Sequence, residues 1–561
     1  MNQSIRDHLS FLYGESRAEE VRDAIDALLE SMRPQLAVRE SQPKALSERD
    51  AILITYGDQV RKEAESPLRT LDTFLSARAV GVVSAVHILP FYPSSSDDGF
   101  SVMDYFSVDP ALGSWDDISA LGERFDLMFD AVFNHASARG VWFRKFLAQE
   151  RGWESAFYEV EGDPDLSAVV RPRALPLLTS FSTMAGPKRI WTTFSADQVD
   201  INFADPRMLL RVLEALLFYV ERGARYIRLD AIAFLWKEPG TACIHLPRTH
   251  AVIQLMRAVL DEVAPWVVLI TETNVPHADN VSYFGDGSNE AQMVYNFALP
   301  PLIFHTMRTG DATAFCSWAR SLETPKGAAT FFNFLASHDG IGLNPVRGLL
   351  SESEIDGLVQ TAIAHGGYVS YKHLPDGSKA PYELNVNLFD ALSNPVGDEA
   401  DDVRVARFLA AHAIMFALAG VPGVYFHSLF GSRGDRAGAE ASGIPRRINR
   451  EKPLLHKLEQ ELDSPRSLRR RIYDGLRSML EARAAHSMFS PFSPQEILDL
   501  GREVVAIQRG IGVLCLTNVT SHAVSVEFPA IMGEWTAILG GPNRPGARVT
   551  LPPYGVLWLA K

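Results

Sequence analysis

The chain of 561 residues has few cysteines, no long apolar run and no excess of positive charge. Its three cysteines, Cys243, Cys316 and Cys515, are odd in number and far apart, which argues against a disulfide framework and favours a reduced, cytoplasmic protein. No run approaches the roughly 18 apolar residues of a membrane span, and the start, MNQSIRDHLSFLYGES, lacks the features of a secretory signal. We therefore expect neither a membrane protein nor a secreted one.

Several recognition motifs are also missing. There is no HExxH pattern, no cysteine pair at metal-ligand spacing and no GxGxxG or GxxxxGKS/T loop, so we predict neither a metal ion nor a nucleotide cofactor. The formal net charge of −14 argues against a surface that binds nucleic acid or an anionic membrane. An anionic substrate would need a local basic pocket.

The residues that are present predict a large packed protein, because 47% are apolar and 10% are aromatic. Within residues 1–48, apolar positions such as Ile5, Leu9 and Leu12 recur at helical spacing among charges, which predicts two amphipathic helices packed on the main domain. We expect this extension to be a structural brace or a contact in a homodimer rather than part of a catalytic site.

From residue 51 the pattern changes to short apolar runs separated by helical segments, which is typical of repeated βα units. The eight runs are ILITY (52–56), VVSAVHILP (82–90), DLMFDAVFNH (126–135), RYIRLD (225–230), VVLITE (267–272), QMVYNF (292–297), TFFNFLASHD (330–339) and GVPGVYFH (420–427). Eight strands that alternate with helices predict an α/β protein with a (β/α)8 TIM barrel.

Two spacings between these runs are too long for a single helix, and the end of the chain alternates apolar and polar residues. We therefore predict inserted loop subdomains above one barrel edge and a C-terminal antiparallel β domain. The predicted divisions are 1–48 for the helical extension, 49–135 with 206–340 and 401–489 for the barrel, 136–205 and 341–400 for the insertions, and 490–561 for the β domain.

Three of the predicted strands end in a carboxylate, at Asp230, Glu272 and Asp339. Taken alone, Asp230 suits a helix cap that pairs with Arg228, but three such strands predict one polar cluster at the edge where barrel active sites lie. Arg228 and Asp230 point the same way along their strand, so we expect the guanidinium to keep Asp230 ionised. A pair of carboxylates about 5 Å apart on adjacent strands suits retaining glycosyl transfer.

The motifs DAVFNH, RYIRLDA, ITETN and FLASHDG together resemble the four regions that mark the α-amylase superfamily, glycoside hydrolase family 13. The resemblance implies Asp230 as nucleophile, Glu272 as general acid/base and Asp339 as transition-state stabiliser. It also implies that His135, Arg228 and His338 bind the hydroxyls of a glucosyl unit.

A finer resemblance, from about residue 50 to past 450, is to the sucrose phosphorylase subgroup of that family. It rests on segments such as LITYGD, HILPFYPSSSDDGF, RPRALPL, TFSADQVDIN and FALPPLIFH. The subgroup works without calcium, and its substrates are an α-glucoside and inorganic phosphate. The further residues whose roles it implies are Asp97 on the far side of the glucose ring, Phe194 and Gln198 on the acceptor side, Arg446 on the sugar, and Arg173 and Tyr382 on phosphate.

One position departs from sucrose phosphorylases, because Glu383 stands where they have Gln. That change and two loops, SSSDDGFS and SKAPYELNV, look more like glucosylglycerate phosphorylases, which implies phosphorolysis to α-D-glucose 1-phosphate and glycerate. Lys372, Lys379 and Arg347 are candidates for holding a glycerate carboxylate, with plain solvated charges as the alternative reading.

The sequence leaves other activities open. Sucrose, sucrose 6'-phosphate and glucosylglycerol phosphorylases have the same motifs, and an α-glucosidase or transglycosidase would keep every catalytic residue while using water or a sugar instead of phosphate. A binding protein without activity would normally have lost a member of the carboxylate trio, and here all three are present.

Overall fold

The computed structural model describes residues 3–37, 45–173, 175–323, 325–373, 378–527, 535–541 and 548–561. Its centre is a closed barrel of eight parallel strands, and the first strand pairs with both the second and the eighth. The barrel strands, in chain order, are Ile52–Thr55, Ala85–Ile88, Asp126–Ala131, Ala224–Leu229, Val268–Thr271, Met293–Tyr295, Thr330–Phe334 and Val421–Tyr425. This confirms the (β/α)8 barrel predicted from the eight apolar runs.

Helices surround the barrel, and some of them, such as Leu299–Thr309, are buried on almost every side. The helix that precedes the fourth strand shows how the sequence sets its bounds: the Asp205 side chain accepts a hydrogen bond from the backbone N–H of Arg207, and Pro206 occupies the first helical position. The helices are Gln3–Tyr13, Glu15–Ala37, Pro67–Arg78, Trp115–Gly122, Val141–Leu147, Pro206–Glu221, Pro247–Val263, His277–Val281, Leu299–Thr309, Thr313–Ser321, Glu352–Ala364, Leu388–Leu392, Asp401–Ala417, Phe426–Leu429, Arg436–Ser442, Leu455–Asp463 and Leu468–Ala484.

The N-terminal extension consists of two helices that contact each other, as predicted. The first packs on the helix Pro247–Val263, and the second packs on Pro206–Glu221. Ile5 and Leu9 are fully buried, and the Tyr13 hydroxyl donates to the carbonyl of Phe203 at 2.9 Å. The extension therefore braces the helices on either side of the fourth strand.

The two long segments between barrel strands carry small sheets of their own. The first contains the pair His135–Ser137 with Gln198–Asp200 and the hairpin Leu178–Thr183 with Gly186–Trp191. The second contains Tyr368–His373 and Lys379–Asn385, to which the short strand Ile341–Gly342 is added. The residue numbers at which the domains divide stay a prediction.

The C-terminal segment forms an antiparallel sheet that buries one face in a small hydrophobic core of its own and packs the other face into the main core. Its strands, in spatial order, are Gln495–Leu498, Val504–Arg509, Val513–Asn518, Val556–Ala560 and Thr536–Leu539, and a separate pair is formed by Val524–Glu527 and Arg548–Leu551. The predicted C-terminal antiparallel fold is thereby confirmed. Across the described residues, no helix has both the length and the apolar content needed to cross a membrane.

Candidate active site

The first two predicted catalytic residues follow neighbouring strands of the barrel. Leu229 of the fourth strand pairs with Thr271 of the fifth, so the next residues, Asp230 and Glu272, lie side by side at the carboxyl edge. Adjacent strands are about 4.8 Å apart, which suits the separation of about 5 to 5.5 Å between the carboxyl groups of retaining enzymes. The backbone N–H of Ala231 donates to Glu272 Oε2 at 3.3 Å.

A single buried guanidinium, that of Arg228, links this pair to the barrel interior. Its Nη1 donates to Asp230 Oδ1 at 2.8 Å and also contacts Asp130, while its Nη2 lies 3.7 Å from Glu272 Oε2. Asp130 is itself fully buried, and its Oδ2 lies 2.7 Å from His87 Nε2. Arg228 is therefore fixed from behind and contacts Asp230 more closely than Glu272.

Burial changes the charge expected for the two carboxyls. It raises the pKa of Asp230 to about 8, despite the opposing effect of Arg228, and it also raises the pKa of Glu272. Arg228 is therefore not enough to hold the pKa of Asp230 low, contrary to what the sequence led us to expect, because removal from water outweighs the attraction. Since the neighbouring carboxyls repel when both are ionised, the pair keeps a proton near neutral pH. The shorter contact with Arg228 favours the charge on Asp230 and the proton on Glu272.

The third carboxylate, Asp339, is in a different electrostatic environment. Burial raises its pKa, but Arg446, His338 and Arg450 outweigh that effect and hold the pKa well below its usual range. Arg446 Nη1 lies 2.8 Å from Asp339 Oδ1, and Arg450 Nη2 lies 3.5 Å from the same oxygen. Asp339 is therefore the permanently ionised member of the trio.

Arg446 is held on its other side by Glu383, the residue that departs from sucrose phosphorylases. The guanidinium forms a two-pronged contact, with Nε donating to Glu383 Oε1 at 3.0 Å and Nη2 to Oε2 at 2.7 Å. The strand that carries Glu383 packs closely on Gly340, where a Cβ would lie 2.5 Å from the carbonyl oxygen of Leu384. Glycine is therefore required next to Asp339 for Glu383 to reach Arg446.

The residues predicted to bind the glucosyl unit lie close together in the structure. The ring of His338 stacks on Phe100, with centroids 5.0 Å apart and planes 7° apart. Gln198 Nε2 lies 3.1 Å from His135 Nε2 and donates to Asp97 Oδ2 at 3.2 Å. Together they form one wall of polar groups and flat rings, which suits the hydroxyls and the apolar face of a hexose.

A cavity of about 350 Å³ at this barrel edge brings together all the residues predicted to be catalytic, to bind the glucoside or to bind phosphate. These predicted residues in the cavity lining are Asp230, Glu272, Asp339, Asp97, His135, Arg228, His338, Phe194, Gln198, Arg446, Glu383, Arg173 and Tyr382. Of the three candidate loop cations, Arg347 and Lys372 also line it, whereas Lys379 is exposed at the start of its strand and lies outside the lining.

Arg173 and Asp97 contact each other, although they are predicted to bind different ends of the substrate. Arg173, expected on phosphate, donates to Oδ2 of Asp97, expected on glucose, at 2.9 Å. Its guanidinium also lies over the ring of Phe194, 5.7 Å from the centroid. Arg173 thus occupies a hydrogen-bonding position on the carboxylate of Asp97.

Sequence reasoning missed several residues that the structure places in or behind the site. Arg450 donates to the carbonyl of His338 at 2.9 Å and contacts Asp98. Asn274 and His245 line the cavity beside the predicted residues. Arg450 lies in the same PRRINR segment as Arg446, which was a usable signal, whereas no pattern in the sequence singles out His245.

Comparisons with known proteins identify the family of this chain. The family model described as alpha amylase, catalytic domain, matches residues 78–341. A glucosylglycerate phosphorylase of Allomeiothermus silvanus is 52% identical over 566 residues, which cover 100% of this chain and 98% of the relative. A glucosylglycerate phosphorylase of Escherichia coli K12 is 44% identical, with 100% of both chains covered.

More distant relatives share the fold. A sucrose phosphorylase of Agrobacterium vitis is 32% identical over 74% of this chain and 84% of its own length. The crystal structure of sucrose 6F-phosphate phosphorylase from Thermoanaerobacter thermosaccharolyticum superposes with a TM-score of 0.75 at 22% identity, covering 91% of this chain and 99% of that one. The chain belongs to glycoside hydrolase family 13, the α-amylase family, and within it to the glucosylglycerate phosphorylases.

Proposed function

We propose that this protein cleaves 2-O-α-D-glucosylglycerate with inorganic phosphate, and that it gives α-D-glucose 1-phosphate and glycerate with retention of configuration. The observation that carries the mechanism is the placement of Asp230 and Glu272 at equivalent positions of adjacent strands, against one guanidinium. The full-length identity to glucosylglycerate phosphorylases supports the choice of substrate.

In the first step, Asp230 attacks the anomeric carbon while Glu272 donates its proton to the oxygen of the departing glycerate. The bond between the anomeric carbon and that oxygen breaks, and a β-glucosyl ester of Asp230 forms. Arg228 favours the ionised form of Asp230, and the raised pKa of Glu272 keeps its proton available. Asp339, held ionised by Arg446, stabilises the positive charge that develops on the sugar.

In the second step, an oxygen of phosphate attacks the anomeric carbon from the side that glycerate has left. Glu272, now a carboxylate, accepts the proton of the phosphate, and the ester bond to Asp230 breaks. Arg173 and Tyr382 line the cavity and are the proposed phosphate contacts. A glucosyl unit that binds to Asp97 competes with Arg173 for its carboxylate, so occupation of the glucose pocket releases the guanidinium for the anion.

The carboxylate of glycerate needs a positive partner on the aglycone side. Lys372 donates to Asn344 Oδ1 at 2.8 Å, and its pKa is lowered by burial and by the nearby charge of Arg347. An anion between these two cations would offset their mutual repulsion. We therefore propose Lys372 and Arg347 as the glycerate contacts, and exclude Lys379 because of its exposed position.

Glu383 has both carboxylate oxygens bonded to Arg446, and only 2% of the residue is exposed. We therefore assign it a positioning role, in which it fixes the guanidinium that holds Asp339. A direct contact with glycerate is unfavourable, since two carboxylates would face each other.

The experiment that tests this function is phosphate-dependent release of α-D-glucose 1-phosphate from four substrates in parallel: glucosylglycerate, sucrose, sucrose 6'-phosphate and glucosylglycerol. We expect release from glucosylglycerate at a kcat/KM well above that for the other three. Preference for another of the four would assign the corresponding phosphorylase activity. Release of free glucose without phosphate, and no glucose 1-phosphate, would make the protein an α-glucosidase instead.

The cellular location and the oligomeric state of the protein are further proposals. Cys243, Cys316 and Cys515 are free and buried, which supports the proposed reducing, cytoplasmic environment. A homodimer that uses the N-terminal helices stays a prediction, and light scattering on the full chain and on a chain starting at Ala45 is the direct measurement.

A further inference from the structure

His245 lines the cavity, in the segment that runs from the nucleophile to the helix Pro247–Val263. Its φ of 55° is in the left-handed region, which residues other than glycine adopt only where their surroundings fix them. The backbone N–H of His245 donates to the carbonyl of Ala233 at 3.1 Å, three residues after Asp230. The nearby charge of Asp279, which follows the strand of Glu272, also acts on its ring. His245 is therefore tied to the segment that follows Asp230, and it lines the same cavity as Glu272.

The imidazole of His245 is oriented from outside the cavity. Its Nδ1 lies 2.7 Å from the hydroxyl of Tyr283, which is completely buried. Tyr283 stacks on His250, with centroids 4.6 Å apart and planes 19° apart, and His250 Nδ1 lies 3.0 Å from Glu290 Oε2. Among the contacts described above, Tyr283, His250 and Glu290 reach the cavity lining only through His245.

This arrangement selects one form of the ring. Burial lowers the pKa of His245, so the imidazole is neutral near pH 7, and burial raises the pKa of Tyr283, so its hydroxyl keeps its proton. When the Tyr283 hydroxyl donates to Nδ1, the proton of the neutral imidazole is on Nε2. Tyr283 occupies Nδ1, so Nε2–H is the donor that His245 can offer to the cavity it lines.

We propose that His245 is a specificity residue for the leaving group, and that its Nε2–H donates a hydrogen bond to an oxygen of the glycerate. This proposal rests on the proposed function. Lys372 and Arg347 supply positive charge, whereas His245 supplies a neutral donor in a fixed direction. The Tyr283–His250–Glu290 chain holds that direction and does not touch substrate, so these three are positioning residues.

The test compares two reactions that share the glucosyl-enzyme. Glycerate glucosylation from α-D-glucose 1-phosphate depends on the aglycone side, whereas arsenolysis of α-D-glucose 1-phosphate involves no glycerate. We expect His245→Ala to raise the KM for glycerate by about ten-fold, because it removes one hydrogen bond to a charged group. The same variant should keep kcat/KM for arsenolysis within about two-fold of wild type. Tyr283→Phe should raise the KM for glycerate by less, because the ring and its packing stay.

Two further variants separate a hydrogen bond from a structural effect. His245→Gln carries an N–H donor on its amide and should recover part of the affinity for glycerate. His277→Ala removes a histidine that lies outside the cavity lining and should leave both reactions unchanged. An unchanged KM for glycerate in His245→Ala, or an equal loss in both reactions, would overturn the proposal. Wild-type enzyme that performs arsenolysis but does not glucosylate glycerate would instead refute the proposed function.

Discussion

The cavity has two proposed halves, a glucosyl half around the three carboxylates and an aglycone half around Arg173, Arg347 and Lys372. The two halves are built in different ways. In the glucosyl half, Asp230, Glu272 and Asp339 follow barrel strands, and each is fixed by an arginine from the buried interior or an adjoining loop. In the aglycone half, Arg173, Arg347 and Lys372 come from inserted segments, where Arg173 pairs with Asp97, Arg347 with Glu352, and Lys372 with Asn344. The catalytic carboxylates are therefore positioned by the barrel, whereas these cations are positioned by the inserted segments.

This difference has a chemical reason. Both half-reactions use the same glucosyl unit, so the groups around the anomeric carbon need one fixed geometry throughout. Glycerate and phosphate occupy the other half in turn, and both are anions. Cations from the inserted segments can serve both, and exchange between the two anions needs no change in the glucosyl half.

The largest effect should come from the glucosyl half, with Asp230→Asn. The amide has the same shape but is a far weaker nucleophile, so we expect kcat to fall by on the order of 10⁴-fold or more. Thermal unfolding should show that the variant stays folded. Residual turnover above about 1% in a preparation free of wild-type enzyme would remove Asp230 from the nucleophile role.

The general acid should show its role in the pH dependence as well as in the rate. Glu272→Gln should lower kcat/KM for glucosylglycerate by about 10²- to 10⁴-fold. For wild-type enzyme, kcat/KM should fall at alkaline pH, because the raised pKa values of Asp230 and Glu272 mean that the pair loses its remaining proton there. It should also fall at acidic pH, as Asp230 takes up a proton. An alkaline limb that persists in Glu272→Gln would contradict this assignment.

The aglycone half should respond in KM rather than kcat. Lys372→Ala and Arg347→Ala should each raise the KM for glycerate by about 10- to 100-fold, since each removes a charged hydrogen-bond donor from the proposed carboxylate site. Lys379→Ala is the matched control, because this exposed lysine lies on the same hairpin but outside the cavity lining. If Lys379→Ala has the larger effect, the proposed carboxylate site is wrong.

The smallest effect should come from Glu383→Gln, at the boundary of the two halves. The amide keeps one hydrogen bond to Arg446 but loses its charge, so we expect kcat/KM for glucosylglycerate and for arsenolysis to fall together by about ten-fold. An unchanged arsenolysis rate with new activity on sucrose would show that Glu383 contacts the aglycone directly.

The same two halves separate what the sequence could predict from what it could not. Asp230 and Glu272 follow apolar runs that read as strands, and parallel strands bring such ends to one edge, so their meeting was predictable. The bidentate contact of Arg446 with Glu383 joins residues 63 positions apart on two different segments, and no periodic pattern records it. The effect of Arg228 on Asp230 was overestimated, because burial that only the folded structure reveals raises the pKa of Asp230.

The same limit applies to the loop residues. Lys372 and Lys379 looked equivalent in the sequence, and only the pairing of their strands shows that one lines the cavity and the other is exposed. His245 gave no signal, because its role depends on Tyr283, which lies 38 residues further along the chain.

Trapping of the glucosyl-enzyme is the measurement that tests the central claim most directly. Glu272→Gln would be mixed with α-D-glucosyl fluoride, whose leaving group needs little acid assistance, then digested and analysed by mass spectrometry. We predict one added glucosyl unit on the peptide that carries Asp230, and its release as α-D-glucose 1-phosphate when phosphate is added. An unmodified Asp230 peptide from a variant that still consumes the fluoride, or a glucosyl unit on another residue, would contradict the double displacement at Asp230.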